Sequence, residues 1–294
     1  MALTMLHYYF LKQSIEKIPG NIKNNLEYDN DLLFNLSTFN DLGLFYKLFN
    51  PVRKDKYRLN ELLESEKFYE FILECLHICK RANDYRQFLF IHAMTAHFIL
   101  QRHVDQYLSV RISKSLRYDA ACNMIDYYYA MAEDNLDLTK TALTDYFPGG
   151  FVYHDYMESL IHKPFIKVFS FFCTKSYFTH SMKMKKNFYA HFNRSKTRVK
   201  LVFYKLYDIL LNHRGKPKAS LYLYTSKVDT SLFNLRKKPY LIGETTYTYS
   251  LEDIIANALA ETKEITDAMV QFCLLYTSDA ADESPCVDLG GRRV

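Results

Sequence analysis

The sequence contains no tryptophan, and it holds only 8 glycines and 7 prolines in 294 residues. Ordinary usage is about 7% glycine and 5% proline. That shortage excludes collagen-like repeats, Pro/Gly-rich disorder and turn-dense β-sandwiches. Long apolar runs are missing too: none approaches the roughly 18–20 residues that a membrane-spanning helix needs. The opening stretch MALTMLHYYFLKQSIEKIPG is amphipathic, carries Lys12, Glu16 and Lys17, and has no small-residue cleavage site. It does not read as a secretory leader, and cytoplasmic placement is the expectation. No pair of cysteines has CxxC spacing, so neither a zinc knuckle nor a redox motif is expected.

What is present is a strong helical pattern. The composition is 49% hydrophobic, 16% aromatic and 24% charged, ample for a core at this length. No glycine occurs between Gly43 and Gly149, and no proline between Pro51 and Pro148. Such a stretch without breakers predicts helix throughout. Within 59–82, Leu62, Leu63, Phe68, Phe71, Ile72, Cys75, Leu76 and Cys79 recur close to the 3.6-residue period. Residues 85–110 are apolar all round and predict a central buried helix. Further helices are expected over 113–131, from about Asp137, and within 153–213, where Pro164 either kinks a helix or sits in its first turn. Pro148-Gly149-Gly150 marks a break. Residues 214–249 contain one strand-like stretch, SLYLYTSKV, and read as an irregular connection, because no second long strand pattern is there to pair with it. Ser250 and Asp253 form an N-cap signature for a last amphipathic helix running toward Phe272. The expected architecture is one all-α domain.

Two columns of polar residues stand out. His97, Gln101 and Asp105 are spaced i, i+4, i+8, and so are Tyr118, Cys122 and Asp126; each set lies along one helix face. Facing columns of imidazole and carboxylate are how a helical bundle builds a metal site. His7 adds an imidazole near the N-terminus, and Asp41 adds a carboxylate in a loop. Taken alone, a histidine in an apolar helix is more often a hydrogen-bonded core residue than a ligand.

These stretches resemble the zinc-dependent phospholipase C family. MALTMLHYYF is similar to the family's Thr-His-Tyr start, and FNLSTFNDLGLFY to its metal-binding aspartate loop, with Asp41 on the aspartate. FLFIHAMTAHFILQRHVDQYL is similar to its histidine helix, with His97 on the first histidine. SLFNLRKKPY and YSLEDIIANALAETKEI resemble its closing segments. The likeness runs over residues 1–272. It implies an all-α, multi-helix domain of the phospholipase C/P1 nuclease type. It also implies zinc held by His7, Asp41 and His97, with Asp105, Cys122 and Asp126 as substitute donors, and Asp41 orienting the attacking water. The implied substrate is a phospholipid or a small phosphodiester, cleaved to release a phosphorylated head group.

The departures are specific. Gln101 stands where the family has aspartate, Asp105 where it has histidine, and Tyr118 and Cys122 where it has histidine and glutamate. The surviving donors suffice for one zinc with an open position and fall short of a cluster, so zinc is the expected cofactor, with reduced occupancy or none as the alternative. The alternative is a helical relative without the chemistry that binds a lipid surface or a protein partner.

Residues 273–294 (CLLYTSDAADESPCVDLGGRRV) resemble translated read-through of a sequencing-library adapter and are set apart from the fold. Four acids against two arginines in this tail turn the whole chain's +5 into +7 for residues 1–272. That charge is mild for a nucleic-acid binder, and nucleic acid is not an expected partner. The basic run at 183–200, interleaved with Phe188, Tyr189 and Phe192, suits either an anionic membrane surface or a helix with its lysines in water. Cys75 and Cys79 read as core filling. His103 lies off the His97 column and reads as solvated or interhelical.

Overall fold

The computed structural model describes residues 3–46, 58–112, 118–192, 202, 224, 226–242 and 245–282. These are mostly helical, as expected. In chain order the elements are α1 (Thr4–Ile15), α2 (Gly20–Lys23), α3 (Asn30–Ser37), α4 (Leu42–Phe45), α5 (Arg58–Leu63), α6 (Phe68–Ala82), α7 (Tyr85–Arg111) and α8 (Tyr118–Asp134). Then come α9 (Leu143–Tyr146), α10 (Asp155–Phe169), α11 (Lys175–Phe192), a 3-10 turn (Thr230–Phe233), β1 (Tyr240–Ile242), β2 (Thr245–Tyr247) and α12 (Leu251–Asp282).

The axis of the molecule is α7. Asp84 caps its start by accepting the Arg86 N–H at 2.9 Å, and its first sixteen residues are almost all buried. A 27-residue helix is about 40 Å long, long enough to carry partners along its whole length. α1, α3, α6, α10 and α12 all pack against it. α12 begins as a reciprocal capping box: Ser250 Oγ accepts the Asp253 N–H at 3.1 Å while Asp253 Oδ2 accepts the Ser250 N–H at 2.9 Å. Cys75 and Cys79 are buried on the inner face of α6, and His103 reaches across to Glu261 of α12 at 2.7 Å.

Four expectations need correction. The helix expected over 59–82 is two helices, α5 and α6, parted by a turn. There the Ser65 hydroxyl donates back to Leu62 O at 2.6 Å and competes with helix propagation. The helix expected from Asp137 is instead the short α9, because Asp137 closes a turn by accepting from Thr139. Tyr240–Ile242 and Thr245–Tyr247 form a two-stranded antiparallel ladder with Tyr240 opposite Tyr247. Aromatic and β-branched residues suit such a pairing, although the segment reads as irregular from its periodicity. α12 continues past Phe272 to Asp282, since no glycine or proline interrupts CLLYTSDAAD. Pro164 lies inside α10. Residues 193–201 and 203–213 of the expected helical region, 193–200 of the basic run, and most of SLYLYTSKV lie outside the described residues.

Candidate functional site: a buried imidazole pair in a polar core

α1 contributes His7 and α7 contributes His97. Their rings lie face to face, 3.7 Å between centroids and 5° from parallel. Both are sealed in, at 1% and 6% exposure. Burial, and then the neighbouring His97 ring, hold the His7 pKa well below its ordinary value. Burial likewise lowers that of His97, opposed by Asp41 and by the Ser37 carbonyl. Two neutral imidazoles are the consequence, since a doubly charged stack would be strongly disfavoured. His97 Nδ1 donates to Ser37 O at 2.7 Å, which fixes its tautomer and leaves Nε2 as the remaining nitrogen. His7 Nε2 bonds Gln101 Oε1 at 3.0 Å. His7 Nδ1 is buried without a hydrogen-bond partner.

Gln101 continues the chain of bonds. Its amide Nε2 donates to Asp105 Oδ1 at 2.7 Å and to Tyr118 OH at 3.0 Å. The Tyr118 hydroxyl in turn donates to the same Asp105 oxygen. The first sequence column thus bonds to itself and to the head of the second. Below Tyr118, Cys122 is fully buried, and desolvation pushes its thiol well up, so it stays protonated.

Asp126, at the foot of that column, has a distinct task. Leu3 enters α1 in the left-handed region (φ 66°), and no side chain of α1 itself caps the helix. Asp126 Oδ1 does so from α8, accepting the Met5 and Leu6 N–H groups at 3.0 Å each. Exposed amides at a helix N-terminus call for such an acceptor. Burial nevertheless raises the Asp126 carboxyl to about 7 against those amide bonds.

Asp41 precedes α4 and is buried at 8% exposure. Asn60 Nδ2 donates to it at 3.5 Å. α4 and α5 meet closely here: a Cβ on Gly43 would lie 2.4 Å from Asn60 Oδ1 and 2.8 Å from Leu59 Cβ. On the solvent side, Glu64 is exposed as a residue, yet its carboxyl is pushed up to about 7 by desolvation and by the charges of Asp41 and Asp105.

One charged member is absent from the sequence reasoning. Lys185 of α11 is fully buried. Its Nζ donates to Thr38 Oγ1 and lies 5.5 Å from the Phe34 ring centroid and 5.9 Å from that of Phe151. Burial lowers it to about 7, with Asp41 holding it partly up. A signal was available: Met182, Lys185 and Tyr189 are spaced i, i+3, i+7 and share the buried face of α11.

All six sequence-derived donors, His7, Asp41, His97, Asp105, Cys122 and Asp126, are thus drawn into one polar region between α1, α4, α7, α8 and α11. Their fit to zinc is poor. Asp126 is committed to the α1 amides and Asp105 to Gln101 and Tyr118. Cys122 stays a thiol, and Lys185 puts an amine where a cation would want acceptors. Among the described residues, no group of three or more His, Cys, Asp or Glu is placed to hold a metal ion. A shallow surface hollow lined by residues that include Cys79, Asn83, Asp84 and Cys273 shares no residue with the imidazole pair. Among the described residues, no helix is long and apolar enough to cross a membrane. Set against protein-family models, curated proteins and solved structures, the chain matches none.

Proposed function

We propose that this chain is a non-hydrolytic helical relative of the zinc-dependent phospholipase C family, one that acts by binding. In this reading a hydrogen-bonded polar core stands where the family's metal site would be. The observation that carries it is the Gln101–Asp105–Tyr118 circuit. At the positions where the resemblance implies metal donors, the substituted side chains bond to one another. A network that satisfies its own donors and acceptors gains nothing from giving them up to an ion. The seclusion of both imidazoles supports the same reading, because a phosphodiester would have to displace protein to touch either one.

The test is hydrolysis of a chromogenic phosphorylcholine ester by the full chain with added zinc, beside His97→Ala. The expected result is no turnover above that of the variant. Turnover that His97→Ala abolishes would overturn the reading.

A zinc-dependent phosphodiesterase acting on phospholipid head groups is the second reading. The buried His7 Nδ1 without a partner favours it, since a buried polar atom left unsatisfied is a place where an ion or water belongs. The same assay separates the two.

A further inference from the structure

The chain carries no aspartate or glutamate between Glu158 and Asp208. The C-terminal half of α10, the link to α11 and all of α11 fall in this acid-free stretch. At its centre the link displays one large apolar side chain. Ser170 ends α10 in the left-handed conformation (φ 50°, ψ 35°), its N–H bonding Ile166 O at 3.0 Å while the Phe171 N–H bonds Phe165 O at 3.3 Å. The strand-like run that follows alternates: Phe171 is half-buried, Phe172 is 68% exposed and Cys173 is buried. His162 Nδ1 donates to Cys173 O at 3.0 Å and sets its ring 5.4 Å from that of Phe172, fixing the link against the flank of α10. Ile166, one turn beyond His162 on that flank, is 42% exposed.

Lysines lie on the helices to either side of this link. Lys163 is exposed, and among the described residues no acid pairs with it. Lys167 reaches Glu74 at 2.7 Å, and Lys175 reaches Asp155. Lys175 also opens a basic face: at about 100° per residue, Lys175, Lys183 and Lys186 fall within about 80° of one another on α11, and all three are exposed. An exposed hydrophobe by itself is ordinary. A phenylalanine held against His162 with a neighbouring isoleucine, with lysines on the helices to either side of the link and an acid-free helix following it, matches the headgroup layer of an anionic bilayer, with apolar matter below and phosphate above.

We propose that the Phe172 knob and the lysine face of α11 form a docking surface for anionic lipid bilayers. This deepens the binding reading given above and names its partner. A single projecting ring offers no series of stacking platforms, so a bilayer fits better than a nucleic-acid strand. Phe172 enters below the headgroups, and Lys163, Lys183 and Lys186 meet the phosphates.

Co-sedimentation of the full chain with vesicles tests it. One set is phosphatidylcholine alone and the other an equimolar mixture with phosphatidylglycerol. The chain is expected to sediment with the mixed vesicles and stay in solution with phosphatidylcholine. Phe172→Ser should weaken the binding about tenfold, and Lys183→Glu about fivefold or more. Both changes lie at exposed positions, so an unaltered circular dichroism spectrum checks that the fold is kept. Failure to bind the mixed vesicles, equal binding to both sets, or full binding by Phe172→Ser overturns the proposal. So does tighter binding to a single-stranded oligonucleotide that Phe172→Ser leaves unchanged, which would assign the face to nucleic acid. A chain that hydrolyses the ester yet still needs Phe172 for vesicles would retire the non-hydrolytic reading and leave this one standing.

Discussion

Helix α7 carries two buried imidazole sites five residues apart, and they are built differently. His92 is complete: Nε2 meets Ser14 Oγ of α1 at 2.9 Å, and Nδ1 meets Thr266 Oγ1 of α12 at 3.0 Å. Three helices are stitched together with no ring nitrogen left over. His97 instead stacks on His7, whose Nδ1 has no partner, beside a circuit of amide, carboxylate and phenol and within reach of a buried lysine. Burial is therefore no mark of function, since both sites have it. What sets the second apart is unmatched hydrogen-bonding capacity and concentrated ionisable groups, which packing alone does not require.

The largest test of this contrast is Asp126→Ala. α1 supplies a partner to each site, Ser14 to one and His7 to the other, and Asp126 holds its first turn. Leaving the Met5 and Leu6 amides buried without an acceptor should cost about 3 kcal/mol in urea denaturation. Both sites should loosen together. If only the His7–His97 side responds, the two are not tied through α1.

Next in size is a pH effect of opposite sign at the two sites. Folded His92 stays neutral down to about 4, whereas the unfolded chain takes up the proton near 6.5. Stability from this group is therefore full above 6.5 and falls by up to about 3 kcal/mol as pH drops to 4. Folded Asp126 keeps its proton up to about 7 against 3.8 in the unfolded chain. Its effect is to lower stability as pH rises from about 4 to 7. Urea midpoints across that range should therefore hold up better at the acid end in His92→Leu than in the parent. In Asp126→Asn the loss toward neutral pH should be reduced. Slopes unchanged by either substitution would contradict the assignment of these groups.

Gly43→Ala should cost about 2 kcal/mol, because a Cβ there runs into Leu59 and Asn60. It should disturb the His97 imidazole resonances through Asp41 and leave those of His92 in place. Equal disturbance of both would mean that α4 does not belong to one site alone. The smallest effect is expected for His7→Phe. It keeps a ring on His97 and removes the orphan nitrogen, leaving only Gln101 Oε1 without its partner, about 1 kcal/mol. His92→Phe breaks two bonds in a closed site and should cost clearly more. The contrast between the sites fails if the two cost the same.

The helices were legible where pattern and local chemistry agree. The long α7 follows from its unbroken apolar run, and α12 from the Ser250–Asp253 box. The break at Ser65 was not legible, because a hydroxyl turning back on its own helix leaves the apolar period intact. The short ladder of β1 and β2 escaped for a related reason, since three residues a side are too few to show a period of two. At the site, spacing placed His97, Gln101 and Asp105 on one face and Tyr118, Cys122 and Asp126 on another, and the structure joins the two columns. Spacing could not say whom each side chain bonds. Asp126 has the look of a ligand in sequence and serves as the cap of another helix, a long-range relation that no local pattern encodes. Lys185 went unseen because a lysine among aromatics suggests solvent first. Only its place on the buried stripe of α11 tells otherwise.

The most direct measurement is the zinc content of the full chain after saturation with zinc and dialysis, read by elemental analysis beside His97→Ala. A polar core whose Gln101, Asp105 and Tyr118 are already bonded to one another predicts less than about half an equivalent in the parent and no difference from the variant. One equivalent or more, lost in His97→Ala, would show that the imidazoles serve an ion and would contradict the account.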